Sequence, residues 1–248
     1  MNKIYSYAVL WYTGEKGVYM KRIGLVAAMA SETEHLLEKL GTKIASRIIC
    51  GFLCITYTID GKTIYLVNSG VGEINSSAAT MLLISRFDVQ AVINFGVAGA
   101  LKKGVKVGDL LIGRDIVHYD FDISVFTGRS KAAYPDSKTP FILCDAALAD
   151  LADKANGAIL QRVRIASGDK FIAATEFKNE IIREFDADIC EMESAGIIRT
   201  SDRAGVPSLF IKTVSDEADE SAPECINDTI NKGVTSYCRL IENLLRII

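Results

Sequence analysis

Four prolines, one tryptophan and two histidines are thinly spread over 248 residues, and no stretch is rich in serine and glycine. Without such breakers or a compositional seam, nothing marks an interdomain linker, and a single domain is expected. The six cysteines (Cys50, Cys54, Cys144, Cys190, Cys225, Cys238) contain no CxxC pair, and neither His35 nor His118 stands at metal-ligand spacing from one of them. This excludes a structural zinc motif and fits a reducing cytoplasm; no metal and no cofactor are expected. A basic excess is missing too. The net charge is −3, so no overall field attracts nucleic acid or anionic membrane. Long apolar runs are equally absent. "YAVLWY" (Tyr7–Tyr12) is far too short to span a bilayer, and it lacks the flanks of a signal peptide. Residues 1–19 are read as an N-terminal extension, and residues 20–248 as the working domain.

What remains is an ordinary globular composition, 49% hydrophobic and 24% charged. From Lys21 onward, apolar runs of strand length alternate with helically spaced segments. "RIGLVAA" reads as a strand and "SETEHLLEKLG" as a helix. "ASRIICGFLCITYTIDGKTIYLVNSG" reads as two or three strands turning at Gly51 and Asp60-Gly61. "EINSSAATMLLISRF" is helical, and "VQAVINFGV" is a buried strand expected to end at the glycine turn "GVAGAL". "VGDLLIGRDIVHYD" is another strand region, followed by the loop "FTGRSKAAYPDSKTP". Then come helix, strand, helix, short strand ("ADICEME"), helix and strand ("VPSLFIKTVSD"), with a long amphipathic helix at the C-terminus. Strands apolar on both faces and separated by helices imply an α/β fold: a three-layer α/β/α sandwich around a central mixed sheet.

In such sheets ligands bind beyond the carboxyl ends of the strands. Six of those ends carry acids or glycines: Glu32, Ser69-Gly70-Val71-Gly72, Gly96-Val97-Ala98-Gly99, Ser167-Gly168-Asp169, Glu191-Met192-Glu193 and Asp216. Each also has a plain structural reading. Ser31 with Glu34 is a capping-box pattern, which makes Glu32 a first-turn acid. The glycines match no complete GxGxxG fingerprint. Glu191 and Glu193 could be solvated acids of the next helix, and Asp216 could cap a turn. Their joint placement is what points to a cleft.

The motifs "IGLVAAMASETE", "NSGVGEINSSAAT", "INFGVAGAL", "VGDLLI", "DFDISVF", "SGDKFI", "CEMESAG" and "TVSDEAD" span nearly all of residues 20–248. In this order they resemble the 5′-methylthioadenosine/S-adenosylhomocysteine nucleosidases of the purine nucleoside phosphorylase superfamily. The resemblance implies a homodimer acting on a small purine nucleoside. It makes Asp216 the general acid at purine N7 and Glu32 the group that activates water. Glu193 would hold the ribose hydroxyls with Met192 beneath the sugar, and Glu191 and Gly96 would line the same pocket. Phe171 would stack on adenine, the Ile172 backbone would read its edge, and Ser69 would lie near the ribose. Phe126 would reach the neighbouring subunit's 5′ pocket. An aromatic usually borders that pocket after "TVSDEAD". Here Pro223 and Ile226 are the nearest apolar residues, and Ile226 is taken as the contact. Lys170 is an unusual neighbour for adenine and is expected to face solvent, while Asp219 is expected to shape the loop behind Asp216.

The chemistry agrees with these assignments. Adenine leaves poorly unless N7 is protonated, and the oxocarbenium-like sugar favours a nearby carboxylate and a water on the opposite face. A phosphorylase would instead need arginines for phosphate, and "AAMASE" and "VINFGVAG" hold none. Cleavage of futalosine or aminofutalosine, and nucleoside binding without catalysis, are the other readings. The second leaves acids on both sides of the glycosidic bond without a purpose.

Overall fold

The computed structural model describes residues 20–248, with side chains described for residues 20–224 and 235–248. The predicted extension at residues 1–19 and the side chain of Ile226 therefore lie outside the described residues. In chain order the elements are β1 (Arg22–Ala27), α1 (Ala30–Leu37), β2 (Thr42–Ile49), β3 (Phe52–Ile59), β4 (Lys62–Asn68), α2 (Glu73–Phe87), β5 (Ala91–Ala100) and β6 (Leu110–His118). There follow α3 (Ser124–Thr127), β7 (Phe141–Leu143), α4 (Ala146–Asn156), β8 (Gln161–Ser167), α5 (Thr175–Phe185), β9 (Ile189–Glu191), α6 (Ser194–Ala204), β10 (Ser208–Asp216) and α7 (Ala222–Ile247).

The ten strands form one mixed sheet in the order β10-β6-β8-β9-β5-β1-β4-β3-β2, with β7 on β6. Helices cover both faces. Leu36 of α1, Leu148 and Ala152 of α4, and Tyr237, Ile241 and Leu244 of α7 bury one face. Ala79 and Leu83 of α2 and Ala195 and Ile198 of α6 bury the other. This is the expected three-layer arrangement. The two tight turns fall where predicted: Cys50-Gly51 and Asp60-Gly61 both adopt left-handed backbone, at φ 51° and 85° and at 48° and 77°. Two-residue hairpin turns of that hand match the twist of the strands they join. No helix among the described residues is long and apolar enough to cross a membrane.

One sequence reading needs correction. The "GVAGAL" segment does not end β5 in a turn; the strand runs on through Gly96 and Gly99 to Ala100. It can do so because β10 pairs with it as far as Gly99, after β1 has dropped away beyond Asn94. The loop "FTGRSKAAYPDSKTP" runs between the short α3, which takes its first two residues, and the three-residue β7, both too brief to leave a periodic signal. The sheet is also not simply open. β10 pairs with both β5 and β6, so β5, β10, β6, β8 and β9 close into a ring. That closure brings the carboxyl ends of β5, β8, β9 and β10 together.

Candidate active site

β5 is the axis of the site. β1 ends at Ala27, and the first turn of α1 fills the place beside β5 that the strand has vacated. Glu32 projects there. One carboxylate oxygen accepts from Val97 N of β5 at 3.1 Å, and the other from Ala28 N at 3.0 Å and Met29 N at 2.9 Å. The helix therefore starts earlier than the Ser31/Glu34 pattern suggested, and Glu32 is the residue that reaches back. Glu32 lies so close to Gly96 that a Cβ there would collide with its carboxylate. Tyr237 Oη of α7 holds the Glu32 carbonyl at 2.9 Å. Burial pushes the Glu32 carboxyl above its ordinary range, against backbone hydrogen bonds that favour the anion.

Asp216 ends β10 on the other side of β5, opposite Gly99, where a Cβ would stand 2.9 Å from Asp216 Oδ1. Its carboxylate accepts from Ser215 Oγ at 2.7 Å and Ala218 N at 2.8 Å. A cavity of about 30 Å³ joins Asp216 to Gly99, Lys170, Phe171, Ile172, Cys190, Glu191 and Met192. Its wall encloses space for about one or two waters. Phe171 is part of that wall and is 44% exposed. Lys170 turns outward as expected, its Nζ over the Phe177 ring. Asp219 accepts from Ser221 N at 2.9 Å and Ser221 Oγ at 2.6 Å, which makes it a loop former.

Glu191 and Glu193 are both buried, so their reading as solvated helix acids fails. The reason is Lys212, the only charged side chain in β10 before Asp216. Its Nζ lies 2.7 Å from Glu191 Oε2, and both side chains are almost wholly buried. Burial would raise the Glu191 carboxyl, yet Lys212 and nearby hydroxyls outweigh it and hold the group below its ordinary range. Lys212 in turn stays charged: burial lowers it, and Glu191 and Glu193 more than restore it. Glu193 feels the same lysine less than it feels burial and Glu191. It accepts from Gly72 N at 3.0 Å, and burial followed by the Glu191 charge pushes it up to about 8.

Ser69 is buried at the end of β4 and donates to Gly70 O at 2.8 Å and, more weakly, to Ala27 O at 3.3 Å. Phe126, on α3, is not drawn into this cluster and stands 80% exposed. Sequence reasoning missed Lys212, Glu73 and Asp120, and placed Asp169 at a strand end without giving it a role. Lys212 had a readable signal, since a lysine inside the apolar run "SLFIKTV" needs a buried anion. Asp120 had none. Asp120 Oδ2 accepts from Asp169 N at 2.9 Å, and Asp169 Oδ1 accepts from Glu73 N at 2.8 Å, pinning the Phe171 loop to the start of α2.

The phosphorylase superfamily family model matches residues 22–246. An aminodeoxyfutalosine nucleosidase of Helicobacter pylori is 31% identical over 229 residues, 91% of this chain and 99% of the relative. A 5′-methylthioadenosine/S-adenosylhomocysteine nucleosidase of Shewanella denitrificans is 34% identical over 229 residues, 90% of this chain and 98% of the relative. Among solved structures, a futalosine hydrolase mutant of Helicobacter pylori superimposes with a TM-score of 0.88 at 29% identity, covering 92% of this chain and 100% of that one.

Proposed function

The chain belongs to the phosphorylase superfamily, and from that premise we propose that it is an N-glycosidic hydrolase cleaving 5′-methylthioadenosine and S-adenosylhomocysteine to adenine and the 5′-substituted ribose. The observation that carries the reading is the pair of buried carboxylates, Glu32 and Asp216, on opposite sides of the Gly96–Gly99 backbone. Adenine stacks on Phe171 with its edge on the Ile172 backbone, and the ribose lies towards Ser69, Met192 and Glu193. Asp216 delivers a proton to N7 as the C1′–N9 bond breaks and its electrons pass to the base. Water attacks C1′ from the far face and loses its proton to Glu32, whose raised carboxyl pKa makes it a stronger base. Nucleophile choice follows from charge. A carboxylate in the water site repels phosphate, and neither adjoining loop carries an arginine.

A homodimer belongs to the same reading. Val71, Ile74 and Met81 at α2, and Val125 and Phe126 at α3, are large apolar side chains 45–98% exposed in the single chain. A partner covering them would complete the 5′ pocket. Unpaired thiols at Cys54, Cys190 and Cys238 support a cytoplasmic setting.

The test is incubation of purified protein with methylthioadenosine, adenosylhomocysteine, adenosine and inosine, each with and without phosphate. Chromatography is expected to show adenine and free sugar regardless of phosphate. Strict phosphate dependence with a sugar 1-phosphate would make the protein a phosphorylase. The Helicobacter relative supports aminodeoxyfutalosine as a second substrate, and its cleavage at a higher kcat/KM than methylthioadenosine would make it the principal one.

A further inference from the structure

Glu73 opens α2, is buried, and has no part in the mechanism above. Its carboxylate does not serve its own helix. One oxygen accepts from Ser167 Oγ at the end of β8, and the other from Gly196 N in the first turn of α6. Ser167 is used twice, since its Oγ also accepts from Ala195 N at 2.9 Å. Ser76, one turn into α2, donates to Glu193 O at 2.9 Å. The helices approach this closely only because residue 196 is glycine. A Cβ there would stand 2.8 Å from Ser76 Oγ and 2.9 Å from Glu73 Oε2. Glu193 immediately precedes α6, and Gly72, whose N–H meets the Glu193 carboxylate, immediately precedes Glu73. The latch therefore closes one residue from Gly72 and, through Gly196 N, within one helical turn of Glu193.

We propose that Glu73 is a positioning residue for the ribose-binding carboxylate, holding the first turn of α6 against the first turn of α2 so that Glu193 and Gly72 meet the sugar in a fixed geometry. This rests on the reading of Glu193 as the ribose ligand. Charged and titratable groups face Glu73 from several elements: Glu191 of β9, His118 of β6, and Tyr119 and Tyr134 beyond it, with Lys212 of β10 paired to Glu191. Burial, then the Glu191 charge, raises the Glu73 carboxyl to about 7, so it ionises within the working range. The anion accepts hydrogen bonds more strongly than the acid, which tightens the latch as pH rises.

Steady-state kinetics with methylthioadenosine between about pH 5.5 and 9 test this, on the parent protein, Glu73→Gln, Glu73→Ala and Glu193→Gln, alongside the affinity for free adenine. In the parent, KM should fall as pH rises through about 7. Glu73→Gln should abolish that step, leaving the one that Glu193 contributes near 8. Glu73→Ala should raise KM roughly tenfold or more, as expected for losing charged hydrogen bonds, with kcat within about threefold and adenine affinity unchanged. Glu193→Gln should raise KM at least as much. An unchanged KM and pH profile in Glu73→Gln, with Glu193→Gln impaired, overturns the positioning role and leaves the ribose reading standing. An unimpaired Glu193→Gln overturns both. Lower thermal stability in Glu73→Ala with the parental KM profile would mean a purely structural latch. If the alanine variant does not fold, the pH profile of the glutamine variant decides.

Discussion

Two hollows in this molecule differ by an order of magnitude in size, and buried acids line the smaller. The larger, about 340 Å³, lies at the far edge of the sheet between β2, β3 and the end of α2, lined by Arg47, Arg86, Cys54 and Phe87 among others. The smaller, about 30 Å³, lies between Asp216, Glu191 and the Phe171 loop. Arg47 and Arg86 are exposed, so water solvates them at little cost. Glu32, Glu191, Glu193, Lys212 and Asp216 are all buried, where an ionised group is costly unless paired or hydrogen-bonded. Empty volume at an edge records only where two elements fail to meet. A cluster of buried charge, supported by backbone amides and one lysine, costs stability and so marks a candidate site.

The sharpest way to break this contrast is to neutralise the acids beside β5. Asp216→Asn and Glu32→Gln are each expected to lower kcat for adenine release by about 10²–10⁴-fold while an unreactive substrate analogue still binds. Near-parental turnover in either would remove that residue from the mechanism. Lys212→Met comes next. It strands Glu191 without its counter-ion, and breaking a buried pair from one side costs about 3–5 kcal/mol, to be read from urea unfolding. A loss under about 1 kcal/mol would mean that the cluster is solvated like the edge hollow.

A smaller effect is expected at Phe126. Phe126→Ala should raise KM roughly tenfold for methylthioadenosine and less for adenosine, because about 1.5–3 kcal/mol accompanies burial of such a ring against an apolar 5′ group. A fully active monomer at nanomolar concentration would contradict a shared pocket. The smallest effect belongs to the edge. Arg47→Ala combined with Arg86→Ala should leave kcat/KM within about twofold and stability within about 0.5 kcal/mol, as surface changes usually do. A large loss of activity would give the larger hollow a role that its exposure argues against.

Much of the candidate site was legible because it hangs on local patterns. Apolar runs ending in acids placed Glu191 and Asp216 at strand ends and Glu32 just beyond one, since a strand buried on both faces leaves its polar residues at its tips. The capping pattern misled at Ser31 because two acids in one turn can both reach back, and only the position of β5 selects Glu32. The glycines at 96 and 99 looked like turn residues. Their reason is the close approach of Glu32 and Asp216, which residues distant in sequence impose.

Sequence alone determined the alternation of strands and helices, the tight turns at Gly51 and Asp60-Gly61, and the set of acids at strand ends. These follow from hydrophobic periodicity and backbone preference, which act over a few residues. Tertiary structure decided the rest: the ring closed by β10, the neutralisation of Glu191 by Lys212, and the different carboxyl environments of Glu191 and Glu193 two residues apart. Burial and Coulomb interaction depend on which distant atoms come within a few ångströms, and only the packed sheet sets those distances.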